Sequence, residues 1–231
     1  MSENLKLQYS APGFGPGEAI YLKACEEELL ACLQDSWGEC QFTLWNLVKF
    51  CNRTGQQERA VSFVERLLEL SQNSDQRAHC LLMLAQLRQE MGDFDSAKAY
   101  YEEALELEEF EDITLYFIHN NFGYLFIQLG QFEEAETHLE RAISIDPELA
   151  NAYKNLGLAC EGRGRLEAAV ECYITATQVE PYDARSMVHV ENLLSKHPEL
   201  FVRAPHLQLR LEWCREGVEI AQSELPEVTI H

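Results

Sequence analysis

From residue 18 onward, apolar residues recur at intervals of three and four, the spacing of one face of an α-helix. Residues 18–34 place Leu22, Cys25, Leu29, Cys32 and Leu33 on one side and turn Glu27 and Glu28 away. Farther along, Phe122, Gly123 and Phe126 share one face, and Ala135, Leu139 and Ala142 share a face of the element that follows. Gly130 stands between these two elements, where a helix end favours a left-handed residue without a Cβ. Pro147 cannot continue the second element and turns the chain onward. The pattern predicts an almost wholly helical chain, broken into pairs at Gly55, Gly92, Gly130 and Gly164.

The pairs repeat. Asn121-Phe122-Gly123 laid over Asn155-Leu156-Gly157 brings Gly130 onto Gly164, Ala135 onto Ala169, Ala142 onto Ala176 and Asp146-Pro147 onto Glu180-Pro181, a period of 34 residues. Each of the four glycines is followed five residues later by alanine, at Ala60, Ala97, Ala135 and Ala169. The glycine spacings are 37, 38 and 34, so the first two junctions carry extra residues, and Gln72 and Glu109 stand there in place of proline. A 34-residue helix–turn–helix unit of this kind resembles the tetratricopeptide repeat, which stacks into a solenoid.

The resemblance implies an all-α fold, a right-handed α-solenoid of four units at 41–74, 78–111, 116–149 and 150–183. It is carried by residues 41–183, about three-fifths of the chain. Around the array the sequence predicts a flexible arm over residues 1–16, rich in Gly and Pro, and an N-terminal helix over 17–38. Residues 184–231 are expected to form capping helices and a frayed tail, because the last repeat must present a wet outer face.

Composition narrows the function. The net charge is −21, from 39 acidic and 18 basic residues, which argues against nucleic acid as a partner because phosphate contacts need clustered Lys and Arg. No run approaches the roughly 20 apolar residues of a membrane span, so no membrane insertion is expected. The eight cysteines are scattered, several on apolar faces, and without a secretory signal they are expected to be reduced core thiols of a cytoplasmic chain. Seven acids crowd residues 102–112, a run expected to be a solvated helix face and loop rather than a docking patch.

No catalytic constellation is found: there is no phosphate loop, nucleophile elbow or metalloprotease helix, and the seven histidines are dispersed. His79 and Cys80 diverge by roughly 100° on a helix, which disfavours a shared metal. No catalytic residue, metal or cofactor is therefore assigned, and the chain is expected not to be an enzyme.

What remains is a binding surface. The resemblance places ligand contacts on the first helix of each unit, at Phe42, Trp45, Asn46, Lys49 and Arg53, then at Met83 and Gln86. Phe117, Asn120, Asn121 and Tyr124 follow in the third unit, and Asn151, Lys154, Asn155 and Leu158 in the fourth. Asn46, Asn121 and Asn155 share the sixth position, and an asparagine amide both donates to and accepts from a peptide backbone. Such asparagines hold an extended chain in related repeat proteins, whereas the cations of a chaperone-type carboxylate clamp are missing here. The first expectation is a scaffold or adaptor that holds a protein or peptide segment in this groove. A secretion- or assembly-type chaperone with one client is the second, and a self-assembling homo-oligomer whose arm or terminal helix fills the groove is the third.

Overall fold

The computed structural model describes residues 20, 23–25, 27 and 37–224. The expected arm, most of the expected N-terminal helix and residues 225–231 lie outside the described residues; positions 20, 23–25 and 27 are helical. Among the described residues there are eleven further helices and no strand. The chain divides into two units, Met1–Phe110 and Glu111–His231. In the first unit α1 (Trp37–Arg53) pairs with α2 (Gln57–Leu70) and α3 (Ser74–Glu90) with α4 (Phe94–Leu105). In the second, α5 (Asp112–Gln128) pairs with α6 (Phe132–Ile145) and α7 (Ala150–Gly162) with α8 (Leu166–Val179). After these come α9 (Arg185–Lys196), the single turn α10 (Leu200–Arg203) and α11 (Pro205–Glu224).

The turn inside each pair has one chemistry, used four times. Gly55, Gly92, Gly130 and Gly164 all have φ between 71° and 79°. The next residue donates its N–H back to the first helix, as Gln56 to Cys51, Asp93 to Arg88, Gln131 to Phe126 and Arg165 to Cys160, at 2.7–2.9 Å. The carbonyl of that same residue accepts from the alanine four positions on, as Gln56 from Ala60 at 3.3 Å and Gln131 from Ala135 at 3.1 Å. One residue thus ends the first helix by the Schellman pattern and begins the second. This is the physical content of the Gly-to-Ala spacing.

The extra residues of the first two junctions go into helix. α3 and α5 each have 17 residues where α7 has 13, starting one turn ahead of the expected repeat boundaries at 78 and 116. Three or four added residues amount to one turn of 3.6, so every downstream side chain keeps its face. α1 likewise begins at Trp37, ahead of the expected start at residue 41. Where proline is missing, other devices turn the chain. Asn73 Oδ1 accepts from Gln76 N at 2.9 Å while Gln76 Oε1 accepts from Gln72 N at 2.7 Å, a reciprocal cap on α3. At the other junction Glu109 adopts φ 60°, the only positive-φ non-glycine among the described residues.

The close crossings fall where the sequence is small. A Cβ on Gly123 would lie 2.6 Å from Leu139 Cγ, and one on Gly157 would lie 2.4 Å from the Tyr173 ring. Ala135, Ala142, Ala169 and Ala176 are all buried. α9 and α11 close the end of the second unit through Met187, Val190, Leu193, Leu207, Leu211, Cys214 and Val218, packed with Val170, Tyr173 and Ile174 of α8. The seven acids of residues 102–112 are all exposed, as expected of a solvated run. Cys25, Cys51, Cys80, Cys160, Cys172 and Cys214 are free thiols, all but Cys172 buried.

Two histidines share the interior of the α5–α6 pair. His119 Nδ1 lies 3.0 Å from His138 Nδ1, and the His138 ring sits 4.4 Å from that of Phe122 and 5.4 Å from that of Phe126. Burial, then His138 and Arg141, lower the His119 pKa to about 4, and burial lowers that of His138. Both rings stay neutral in the fold at pH 7.

Two predictions follow from this packing. Gly157→Ala and Ala135→Leu each force a methyl or more into a closed crossing and should cost roughly 1–3 kcal/mol, read as a lower urea midpoint. An unchanged midpoint would mean that the helices separate freely. The second concerns pH. The unfolded chain protonates His119 near 6.5 whereas the fold resists until about 4, so stability is full above pH 6.5 and falls as the pH drops toward 4. Allowing for partial exposure, His119 should account for about 1 kcal/mol of the loss by pH 5. The double variant His119→Phe, His138→Leu should flatten that part of the urea-midpoint profile, leaving the part due to His79, whose pKa burial also lowers to about 4.

Candidate peptide-binding surfaces

In the first unit the sequence-derived positions separate into exposed and buried sets. On α1, Phe42 is 71% and Trp45 40% exposed, Lys49 Nζ stands 4.9 Å from the Trp45 ring centroid, and Arg53 is exposed beyond them. These four form a stripe at helical spacing, with Asn46 half-buried beside it. On α3, Met83 is 3% exposed and Leu82 2%, so neither contributes to an open apolar patch. The reason is that α3 is apolar around most of its circumference, with ten buried residues, and such a helix sits inside its unit. Gln86 is half-buried, and its Oε1 is sealed from solvent with no hydrogen-bond partner among the described residues. Gln89 is committed to packing: its Oε1 accepts from Tyr101 Oη at 2.9 Å.

In the second unit α5 and α7 are joined by a relay of amides. Asn155 Nδ2 donates to Asn120 Oδ1 at 3.0 Å, and Asn120 Nδ2 donates to Asn121 Oδ1 at 2.9 Å. Asn120 and Asn155 are 5% and 7% exposed. Two bonds among three amides leave one donor at Asn121 and one acceptor at Asn155 without a hydrogen-bond partner among the described residues. Turning all three amides over exchanges which end donates, and the unpaired donor and acceptor remain. Phe117 and Tyr124, 36% and 41% exposed, stand on α5 beside this relay. The register of the two helices is fixed from behind by Tyr116, whose hydroxyl accepts from Ala152 N at 3.1 Å and donates to Leu149 O at 3.3 Å.

The rest of α7 is partly engaged. Lys154 Nζ donates to Asn151 Oδ1 at 3.0 Å, and burial, then Arg185, lower the amine's pKa against the pull of Asp183 and Glu180. Leu158 is half-buried. Glu161 Oε2 accepts from Tyr173 Oη at 3.0 Å, and the His189 ring stacks on Tyr173 with centroids 5.1 Å apart. Burial lowers the His189 pKa, with Glu161 and Lys154 acting in opposite directions on it. Sequence reasoning stopped the contact positions at residue 183 and so missed Val188, 52% exposed, and His189. Continuing the 34-residue period one half-unit further would have placed them at the fifth and sixth positions. No group of three or more His, Cys, Asp or Glu side chains suited to a metal ion occurs among the described residues. No described helix is long and apolar enough to cross a membrane.

Three family models, all described as tetratricopeptide repeats, match residues 40–109, 123–161 and 150–183 and together cover more than half of the chain. Among curated proteins the chain is similar to the CTR9 homolog of Arabidopsis thaliana, 26% identical over 61% of this chain and 13% of that protein. It is also similar to the tetratricopeptide repeat-containing protein trd-1 of Caenorhabditis elegans, 25% identical over 68% of this chain and 18% of that one. A third relative is the small glutamine-rich tetratricopeptide repeat-containing protein 2 of Mycosarcoma maydis, 35% identical over 38% of this chain and 24% of that one. The chain thus spans between 13% and 24% of the length of these relatives. Of solved structures, BtubC from P. vanneervenii superposes with a TM-score of 0.64 at 20% identity, covering 93% of this chain and 94% of the other. MamA from Desulfovibrio magneticus RS-1 gives 0.54 at 21% identity, over 80% and 97%. At such identities the likeness is one of fold. Repeat models, relatives and architecture agree, and the chain belongs to the tetratricopeptide repeat family.

Proposed function

We propose that the chain is a protein-interaction module that holds an extended segment of another protein against α5 and α7. The observation that carries this reading is the amide relay. Its unpaired donor and acceptor match the N–H and C=O of a peptide backbone, the one polar pattern that every protein segment presents. Phe117 and Tyr124 supply apolar contact area on the same surface. Asn151, Lys154 and Leu158 extend the strip along α7, and α9 and α11 cap the unit that carries it. In the first unit Phe42, Trp45, Lys49 and Arg53 offer a second strip, aromatic and cationic, with Asn46 half-buried beside it. Tetratricopeptide repeats serve in general as protein-interaction scaffolds, and helix-lined surfaces of this kind take peptides by backbone hydrogen bonds and side-chain anchors.

The test is selection of binders from a random-peptide display library on the immobilised full chain. Peptides that bind should lose about fivefold in affinity to Asn121→Ala, the share of one hydrogen bond, and tenfold or more to Tyr124→Ala. Glu140→Ala, an exposed change on α6, should leave them unaffected. Failure to select any peptide, or binders indifferent to both Asn121 and Tyr124, would exclude this surface as the site.

A further inference from the structure

α11 carries a face that a capping helix does not need. Its inner side, Leu207, Leu211, Cys214 and Val218, is buried in the core of the second unit. On the opposite side, one turn apart, Leu209 is 52% and Trp213 61% exposed. A cap turns a polar surface outward, and a tryptophan more than half in water runs against that. One turn beyond Trp213 stands Gly217, inside the helix, where glycine costs roughly 1 kcal/mol relative to alanine. No atom lies within 4 Å of the place its Cβ would take, so packing within the chain does not require glycine there. Beside the Trp213 ring the helix therefore has a recess that no described residue fills.

The ionic groups of α11 are sorted by sign. Its basic side chains are engaged within the second unit. His206 Nε2 lies 3.2 Å from Glu171 Oε1, Arg210 Nη2 donates to Gln178 Oε1 at 3.3 Å, and Arg215 pairs with Glu191 at 3.5 Å. Glu212, Glu216 and Glu219 are exposed and have no ion-pair partner among the described residues, and Glu212 accepts only from the neutral Gln208 amide, at 3.3 Å. The outward surface of α11 is thus apolar with an acidic margin. α1 has the converse surface. Phe42, Trp45, Lys49 and Arg53 form its exposed stripe, and neither cation has an ion-pair partner among the described residues. Acids outnumber bases 39 to 18 in the chain, yet this stripe holds two bases and no acid.

We propose that the outward face of α11 binds the α1 stripe of a second copy of this chain. The pairing rests on the reading of that stripe as an interaction surface and gives it a partner. Leu209 and Trp213 meet Phe42 and Trp45, the recess at Gly217 admits an aromatic ring, and Lys49 and Arg53 face Glu212, Glu216 and Glu219. Tryptophan and arginine are among the side chains that carry most of the energy of protein interfaces. Each copy offers one face of each kind, so the contact joins unlike surfaces and is heterologous. The net charge of −21 opposes the approach of two copies, but that repulsion is screened beyond roughly 8–10 Å, whereas the opposed charges of the two faces meet at contact. One helix face laid on another falls in the transient class of interfaces, below roughly 1,200 Å². Association is therefore weak, and it is strongest at intermediate salt, where the long-range repulsion is screened and the contact pairs are not.

The experiment is sedimentation equilibrium of the full chain at protein concentrations from about 1 to about 500 μM, the range of a weak contact. The weight-average mass should rise above that of the monomer as concentration increases. Lys49→Glu, Trp213→Glu and Gly217→Leu should each weaken association about tenfold or more. None should lower the urea midpoint, because Lys49 and Trp213 are exposed and leucine is a better helix former than glycine. An equimolar mixture of Lys49→Glu and Trp213→Glu should associate again, through the α1 stripe of the second and the α11 face of the first, and stop at the dimer. Asn121→Ala and Tyr124→Ala, which test the α5–α7 surface, should leave the mass unchanged, so the two readings fail separately. A monomer at every concentration, a variant of either face that associates like the parent, or a mixture that stays monomeric would overturn the proposal.

Discussion

The structure depends on one residue per repeat that serves two helices at once. The amide of the residue after each glycine satisfies a carbonyl of the first helix, and its own carbonyl accepts the first bond of the second. A helix end leaves four polar groups unmatched, and a helix–turn–helix unit has two such ends in immediate succession. Sharing one residue between them keeps the turn to a few residues and fixes the angle at which the helices leave it. The positive φ of the preceding glycine is the condition for that sharing, because a Cβ there would oppose the left-handed backbone. No neighbour lies within 4 Å of the place a Cβ would take on any of the four glycines. The requirement for glycine there is therefore one of backbone conformation and not of space.

That constraint separates what the sequence could disclose from what it could not. The breaks at Gly55, Gly92, Gly130 and Gly164 and the small crossings at Gly123, Ala135 and Gly157 were legible because each requires a particular residue type at a fixed interval. Helix starts were not, since an extra turn of α3 or α5 adds residues without altering the downstream pattern. Burial within α3 was also hidden. A contact position copied from the repeat pattern identifies Met83 as lining a surface, whereas the apolar residues all round α3 bury it. Pairings between helices, such as Asn155 with Asn120 or Cys160 with Glu136, need the crossing geometry, and a linear pattern does not contain it.

Polar chemistry within the second unit is distributed by charge type. Ionic groups cluster between α6 and the α7–α8 turn, where Glu133 and Glu136 meet Arg163 and Arg165. Glu136 is buried, and its carboxylate would be costly there without two guanidinium partners. The hydrogen bonds between α5 and α7 use neutral amides, with aromatic rings beside them. Both sets join one repeat to the next, the first by charge and the second by amide hydrogen bonds.

The division bears on how a ligand would be discriminated on the proposed surface. With a net charge of −21 the chain repels acidic partners at a distance, and that repulsion weakens as salt screens it beyond roughly 8–10 Å. Hydrogen bonds from Asn121 and Asn155 act only at contact and are insensitive to salt and to pH across the range where carboxylates and histidines titrate. Long-range charge would then govern which segments approach, and the amides and rings would govern which stay. Because an amide pair matches any peptide backbone, sequence preference on this surface has to come from the side chains that meet Phe117 and Tyr124. Those two rings, more than the asparagines, would define the partner.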